Sequence, residues 1–141
     1  MVNHAVEALV QAGITELMLV TGGTHAGEFF RLLGNGREYG LDLLTYGYQE
    51  QAGGIAEALA LAEHFVARDK VCVMLADNIF ERSLKPIAEN FERQERGGRM
   101  VLSHVEGDEH RRPLGVGGRE GGRAGGMVEK PGWPPEQEAV R

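Results

Sequence analysis

The chain has 141 residues, 42% hydrophobic and 26% charged, so it is long enough for one domain with a buried core and too apolar for wholesale disorder. Its formal net charge of −6 argues against a nucleic acid polymer as partner, because non-specific binding to DNA or RNA requires a basic surface. No apolar segment approaches the ~20 residues of a membrane span and the N-terminus lacks a signal-peptide pattern, so we expect a cytoplasmic protein without a membrane partner.

Helix and strand signals alternate through the first hundred residues. In chain order the patterns predict a helix capped by Asn3, a strand at 16–21, a helix at 26–33, a strand at 41–48, a helix at 54–66, a strand beginning at Val71, a helix capped by Ser83, and a short strand at 100–105. Strands that alternate with helices predict an α/β fold with a mostly parallel sheet and helices on both faces.

An apolar run from Val71 ends abruptly at Asp77 and Asn78. Such a run is typical of a strand buried on both faces, and Cys72 within it is expected to be a small buried hydrophobe. Ligands of open α/β sheets collect outside the carboxyl ends of the strands, so the Asp77 carboxylate could bind Mg²⁺ that bridges phosphate oxygens. The alternative is an ordinary strand-to-helix turn, in which Asp and Asn are common.

Two further segments carry candidate binding residues. The Gln49 amide could pair with the edge of a base and Gly54 could admit a planar ring, although the segment also fits a plain loop before a helix. Lys130 could meet a phosphate and Glu129 a sugar hydroxyl, although Glu-Lys-Pro equally fits a solvated turn. The Gly-Gly pair after Thr21 lacks the lysine and the glycine spacing of phosphate-binding loops, and it favours a tight turn.

Glycine dominates the later part of the chain, with ten glycines among the thirty residues 97–126. We expect a mobile loop or a poorly formed hairpin there, followed by a brief strand-like pattern that begins at Met127. The sequence therefore divides into an α/β core at 1–105, a glycine-rich mobile segment at 106–126, and a strand remnant with a Pro-rich end at 127–141.

Four segments, taken in order and spacing, resemble the sugar-phosphate nucleotidyltransferases, in particular the glucose-1-phosphate thymidylyltransferases. They are residues 32–41, residues 48–59, residues 76–80, and Glu129-Lys130-Pro131. The similarity is good over residues 1–91 and patchy beyond. It implies a Rossmann-like fold and transfer of a nucleotidyl group, dTMP from dTTP, to a sugar 1-phosphate such as glucose 1-phosphate, with release of pyrophosphate.

The resemblance also implies roles for six residues. By position, the catalytic Mg²⁺ ligand is matched by Asp77, base recognition by Gln49 and Gly54, and the sugar-phosphate side by Gly115, Glu129 and Lys130. Because the sugar phosphate would attack the α-phosphorus directly, the protein would contribute positioning and charge neutralisation rather than covalent catalysis.

The chain departs from the family pattern at both ends. Family members carry a strand and a glycine-rich triphosphate loop before the position of Met1, and further strands with a second metal-binding aspartate beyond Arg141. We therefore expect a truncated domain with marginal stability and little or no transferase activity of its own. The alternatives are a non-catalytic remnant that binds nucleotide or pairs with a full-length relative, and a generic α/β nucleotide-binding regulator. A homo-oligomer is left open for the intact form.

Overall fold

A computed structural model of the chain describes residues 1–51, 53–104, 114–120, 123–129 and 138–140. It consists of two units, residues 1–95 and residues 96–141. In the first unit the helices and strands are, in chain order, α1 (Val2–Gln11), β1 (Glu16–Gly22), α2 (Ala26–Leu33), β2 (Leu43–Gln49), α3 (Ile55–Leu61), α4 (Glu63–Val66) and α5 (Lys85–Glu92). In the second unit they are β3 (Leu102–His104), β4 (Leu114–Glu120), β5 (Arg123–Glu129) and β6 (Glu138–Val140).

Strands β1 and β2 form a parallel pair, connected by α2. The register runs from Glu16 opposite Leu43 to Gly22 opposite Gln49, so both carboxyl ends lie at the same edge. This arrangement is the β–α–β unit that the alternating pattern predicts, and it places the ends of the two strands where open α/β sheets bind ligands.

The core of the first unit lies where α1 and the end of α2 cover this strand pair. Its buried side chains come from α1, β1, α2 and the segment before β2: Val2, Val6, Leu9, Leu17, Leu33 and Leu41. Helix α1 begins after Met1, and no side chain caps it, so the prediction that Asn3 caps the helix is wrong. Asn3 lies inside the first turn, where its Oδ1 atom is buried without a hydrogen-bond partner in the described part of the chain.

The predicted helix at 54–66 is broken into α3 and α4 at Ala62. Three apolar side chains that were expected to pack, Ile55, Leu59 and Leu61, remain 41–55% exposed. Helices this short depend on packing of an apolar face for their stability, and little of that face is covered here. The chain then leaves α4 through Ala67, whose positive φ of 51° ends the helix.

The apolar run that begins at Val71 does not form the predicted strand. Its side chains at Val71, Val73 and Leu75 are 41%, 52% and 43% exposed, whereas Met74 packs against the core. Cys72 is exposed as well, so the expectation of a buried thiol is wrong. The physical reason is the lack of a pairing strand. Within residues 1–51 and 53–104, β1 pairs only with β2, so the apolar run forms no ladder with β1 and its side chains stay open to solvent.

Helix α5 forms where the pattern predicts a helix, but its N-cap residue is Leu84 and not the predicted Ser83. The Ser83 hydroxyl accepts a hydrogen bond from the Lys85 N–H at 3.2 Å, and Pro86 lies in the first turn, where it removes no helical hydrogen bond. At the other end, the Lys70 ammonium donates to the carbonyls of Phe91 and Glu92. A cation at a helix C-terminus is favourable, so this lysine caps α5 from the residue before the apolar run.

The second unit is an antiparallel sheet with the order β3-β6-β4-β5. Of the two alternatives for the glycine-rich segment, the structure has the hairpin: β4 and β5 pair from Leu114 opposite Glu129 to Glu120 opposite Arg123. Backbone N–H and C=O groups make this ladder, so glycines can join it without contributing side-chain contacts. Among the residues that the structure describes, no helix is long and apolar enough to cross a membrane.

Candidate functional site

At the carboxyl edge of the strand pair, the last residue of β1 is Gly22, which lies opposite Gln49 at the end of β2. A Cβ atom at Gly22 would collide with the backbone carbonyl of Gln49, so only glycine permits the observed approach of the two strand ends. Gly23 follows with a positive φ of 65° and begins a 3₁₀ turn that ends at His25. These features support the interpretation of this Gly-Gly pair as a tight turn.

Gln49 and Gly54, both predicted from the sequence as base-recognition residues, are brought together by the structure. Gln49 is the last residue of β2, and its Nε2 donates to the carbonyl oxygen of Gly54 at 3.4 Å. Gly54 precedes α3 with a φ of 90°, a backbone conformation that favours glycine. Between them, the Gly53 N–H donates to the Gln51 carbonyl at 2.8 Å, which tightens the connection.

This contact sets which polar atoms the loop presents. Because the Nε2 of Gln49 donates to Gly54, the Oε1 atom is the end of the amide that can accept a further hydrogen bond. The Gly54 N–H donates to no residue that the structure describes. One acceptor and one donor at a sheet edge can pair with a planar group that carries a donor beside an acceptor.

Asp77 lies in a turn, but not in the predicted strand-to-helix turn, because residues 71–75 do not form a strand and α5 begins only at Lys85. The Asn78 N–H donates to the Leu75 carbonyl at 3.1 Å, and Asp77 occupies the centre of that turn with an exposed side chain. No group of three or more His, Cys, Asp or Glu side chains able to hold a metal occurs among the described residues. An exposed carboxylate of this kind can supply one protein ligand to a Mg²⁺ ion, whose other ligands would be water and phosphate.

The residues predicted for the sugar-phosphate side fall in the second unit. In the β4–β5 hairpin, Leu114 pairs with Glu129 and Gly115 pairs with Val128, so Gly115 and Glu129 lie one register step apart on adjacent strands. Lys130 lies outside the described residues.

One residue of the candidate site was missed by the sequence analysis. The Glu57 carboxylate, in the first turn of α3, lies against Gly53. The available signal was its position three residues after the helix-preceding Gly54, since a glutamate there commonly reaches back over the start of a helix.

The full length of the chain, residues 1–141, matches the nucleotidyl transferase family. The chain belongs to this family. Two relatives match it nearly end to end at 33% identity: a low-salt glycan biosynthesis nucleotidyltransferase of Haloferax volcanii, over 98% of the chain, and a glucose-1-phosphate thymidylyltransferase of Streptomyces antibioticus, over 97%. The chain spans 38% of the length of each.

Solved structures extend the comparison to the nucleotidyltransferase fold. A protein assigned as a glucose-1-phosphate thymidylyltransferase from Bacillus anthracis, in complex with sucrose, is 38% identical and superimposes with a TM-score of 0.91. The match covers 99% of this chain and 55% of that protein. A UDP-glucose pyrophosphorylase in complex with UDP-glucose is 20% identical with a TM-score of 0.78, which shows the shared fold. The first unit of this chain therefore has the Rossmann-like α/β architecture of the family.

Proposed function

We propose that this chain is the nucleoside-binding part of a sugar-phosphate nucleotidyltransferase that uses dTTP and glucose 1-phosphate. The observation that carries the proposal is the contact between Gln49 and Gly54 at the carboxyl edge of the parallel strands. Relatives named glucose-1-phosphate thymidylyltransferase support the choice of substrates. In the proposed reaction an oxygen of the sugar phosphate bonds to the α-phosphorus of dTTP as the bond to the departing pyrophosphate breaks.

The polar atoms at the strand edge favour a base with an imide group. Thymine and uracil present an N–H donor flanked by carbonyl acceptors, which would pair with Gln49 Oε1 and the Gly54 N–H. Cytosine presents an acceptor at the same ring position and would face the Gln49 oxygen with a lone pair. The arrangement therefore supports dTTP or UTP over CTP.

Asp77 is the residue that would hold Mg²⁺. When bound, the ion would neutralise phosphate charge as the pyrophosphate departs. The carboxylate is exposed and lies in the turn after the apolar run, so a metal–phosphate complex could reach it without rearrangement of the core. Since the proposal assigns only one carboxylate of the described residues to the metal, we expect nucleotide binding that depends on Mg²⁺ and slow or absent turnover by the 141-residue chain.

For binding of the sugar 1-phosphate, the proposal assigns roles to three residues: Gly115, Glu129 and Lys130. The pairing of β4 with β5 supports a joint role for the first two, because it fixes their backbones on adjacent strands. Glu129 would accept hydrogen bonds from sugar hydroxyls, and Lys130 would meet the phosphate.

Nucleotide binding by the purified chain tests the proposal. Titration calorimetry with Mg²⁺ should show binding of dTTP, weaker binding of dCTP, and about fivefold weaker dTTP binding by Gln49→Ala, since one hydrogen bond contributes about 1 kcal/mol. Gln11→Ala is the matched control, because it removes an exposed amide at the end of α1 and should leave the affinity unchanged.

The result that would overturn the proposal is equal binding of dTTP and dCTP, or no binding of either. Pyrophosphate release in the presence of glucose 1-phosphate is measured in parallel. Binding without release would make the chain a nucleotide-binding module, whereas release that Asp77→Ala abolishes would make the 141 residues an enzyme.

A further inference from the structure

The side chain of Glu57 and the absence of a side chain at Gly53 are two parts of one contact. A Cβ atom built at Gly53 would fall on the Glu57 carboxylate, whose Oε1, Oε2 and Cδ atoms all lie within 3.0 Å of that position. Side chains of a helix lean toward its N-terminus, so a glutamate in the first turn of α3 reaches back over the residues that precede the helix. Glycine at 53 leaves the space in which the carboxylate lies.

This contact is one residue away from the base-recognition contact. Gly53 is bonded to Gly54, whose carbonyl accepts the hydrogen bond from Gln49. Two consecutive glycines have more backbone freedom than any other residue pair, so the loop would sample several conformations unless something restrains it. Within the described residues, hydrogen bonds from Gln49 Nε2 and the Ala58 N–H to its carbonyl hold Gly54. Gly53 is held by its N–H bond to the Gln51 carbonyl and by the Glu57 carboxylate that lies against it.

We propose that Glu57 is a positioning residue, which packs on Gly53 and holds Gly54 where it meets Gln49. This inference rests on the proposed function, because the loop it restrains is the proposed nucleoside-binding loop. A restrained loop loses less conformational entropy when a ligand binds, so the contact strengthens nucleotide binding without touching the nucleotide.

A purely structural role for Glu57 makes a different prediction. An acidic residue in the first turn stabilises a helix through the macrodipole, and its removal then lowers the melting temperature without a separate effect on affinity. Glu63 lies in the first turn of α4 with an exposed side chain, so Glu63→Ala reports that effect alone.

The test compares five variants in calorimetric titrations with dTTP and Mg²⁺. Glu57→Ala removes the contact from the helix side, and Gly53→Ala removes it from the loop side by displacing the carboxylate. Each should weaken binding three- to tenfold, and the double variant should be no weaker than either single one, because both changes break the same contact. Glu57→Gln should retain wild-type affinity, since the amide has the same shape, and Glu63→Ala should bind as the wild type does.

Unchanged affinity in Glu57→Ala, additive losses in the double variant, or an equal loss in Glu63→Ala would overturn the inference. A ligand-free measurement separates this failure from failure of the proposed function. In ¹⁵N relaxation of the free protein, the Gly53 and Gly54 amides should become more mobile in Glu57→Ala and not in Glu57→Gln or Glu63→Ala. If the wild type binds no nucleotide, this measurement alone decides whether Glu57 positions the loop.

Discussion

Two glycines allow β1 and β2 to pair as closely as they do. At Gly22 the Gln49 carbonyl occupies the space of a side chain. At Gly47 a Cβ atom would come within 2.6 Å of the Met18 Cε and 3.3 Å of a Val20 methyl group, so the side chains of β1 fill the space above β2. Close packing of the strand pair that carries the candidate site therefore depends on glycine at these two positions, where neighbouring atoms occupy the space of a side chain.

Alanine substitutions at two glycines should have opposite effects on stability. We expect Gly22→Ala to lower the free energy of unfolding by about 1–3 kcal/mol, because the methyl group would collide with the backbone carbonyl of Gln49, which cannot move without disturbing the strand pair. Gly27 lies in α2 with nothing near its Cβ position and no positive φ, so Gly27→Ala should raise the free energy of unfolding by about 0.5–1 kcal/mol. Urea denaturation measures both, and a destabilising Gly27→Ala with a neutral Gly22→Ala would contradict the packing described.

The single cysteine offers a test by pH. Cys72 is exposed, yet neighbouring atoms partly desolvate its thiol, and this desolvation raises the pKa of Cys72 above its ordinary value. A raised pKa leaves less thiolate at a given pH, so alkylation by iodoacetamide should be slower in the folded chain than in the urea-unfolded chain at pH 8. The rate should rise toward higher pH with a later midpoint in the folded chain, and coincident midpoints would contradict the expectation.

The sequence predicts site residues better than site contacts. Gln49 and Gly54 were predicted because they occupy a loop between a strand and a helix, and the structure brings them into hydrogen-bond distance. The position of Glu57 three residues after Gly54 is a local signal for a side chain that reaches back over the start of the helix, but the sequence does not show that its carboxylate lies against Gly53. The role of Asp77 stays a prediction, since the turn that holds it would be the same with or without a metal.

At the scale of elements, the segment from Val71 to Leu75 is an apolar part of the first unit that was expected to be buried and is exposed. Its backbone groups have no ladder partner among the described residues, and three of its side chains are more than 40% exposed. Unpaired apolar segments of this kind bind other apolar surfaces and promote association.

A charge in this segment should reduce that tendency. We expect Val73→Lys to lower the fluorescence of bound 8-anilinonaphthalene-1-sulfonate and the light scattering at high protein concentration. Its free energy of unfolding should change by less than about 0.5 kcal/mol, because the side chain it replaces is half exposed. Val101→Lys adds the same charge at an exposed position elsewhere, and an equal reduction by both variants would show that net charge rather than the segment is responsible.

Predictions of helices and strands are confirmed where local sequence signals determine the element. They are wrong where the element also depends on pairing with a strand from elsewhere in the chain. Helix α2 matches the prediction because its periodic apolar residues end at Gly34, a local stop signal. The run from Val71 has a strong strand pattern, but a strand exists only when another strand pairs with it. Glycines 117 and 126 show the converse, since they pair across the hairpin despite having no side-chain pattern.

At the scale of the whole molecule, the two units follow different rules of construction. The first unit, residues 1–95, has its apolar core between helices and a parallel strand pair, as the alternating pattern predicts. The second unit is joined by antiparallel ladders, for which the side-chain pattern carries little information. The family relation extends across both units, because the match covers residues 1–141.

The parallel pairing of β1 with β2 also has a consequence for the order of folding. Residue 16 pairs with residue 43, so the ladder cannot begin until the intervening chain, including α2, has closed into a loop. During synthesis β1 therefore leaves the ribosome before the strand that pairs with it, whereas α1 precedes β1 and α2 precedes β2. Packing of α1 and of Leu33 in α2 around Leu17 is thus a way to protect the nascent strand before its partner arrives.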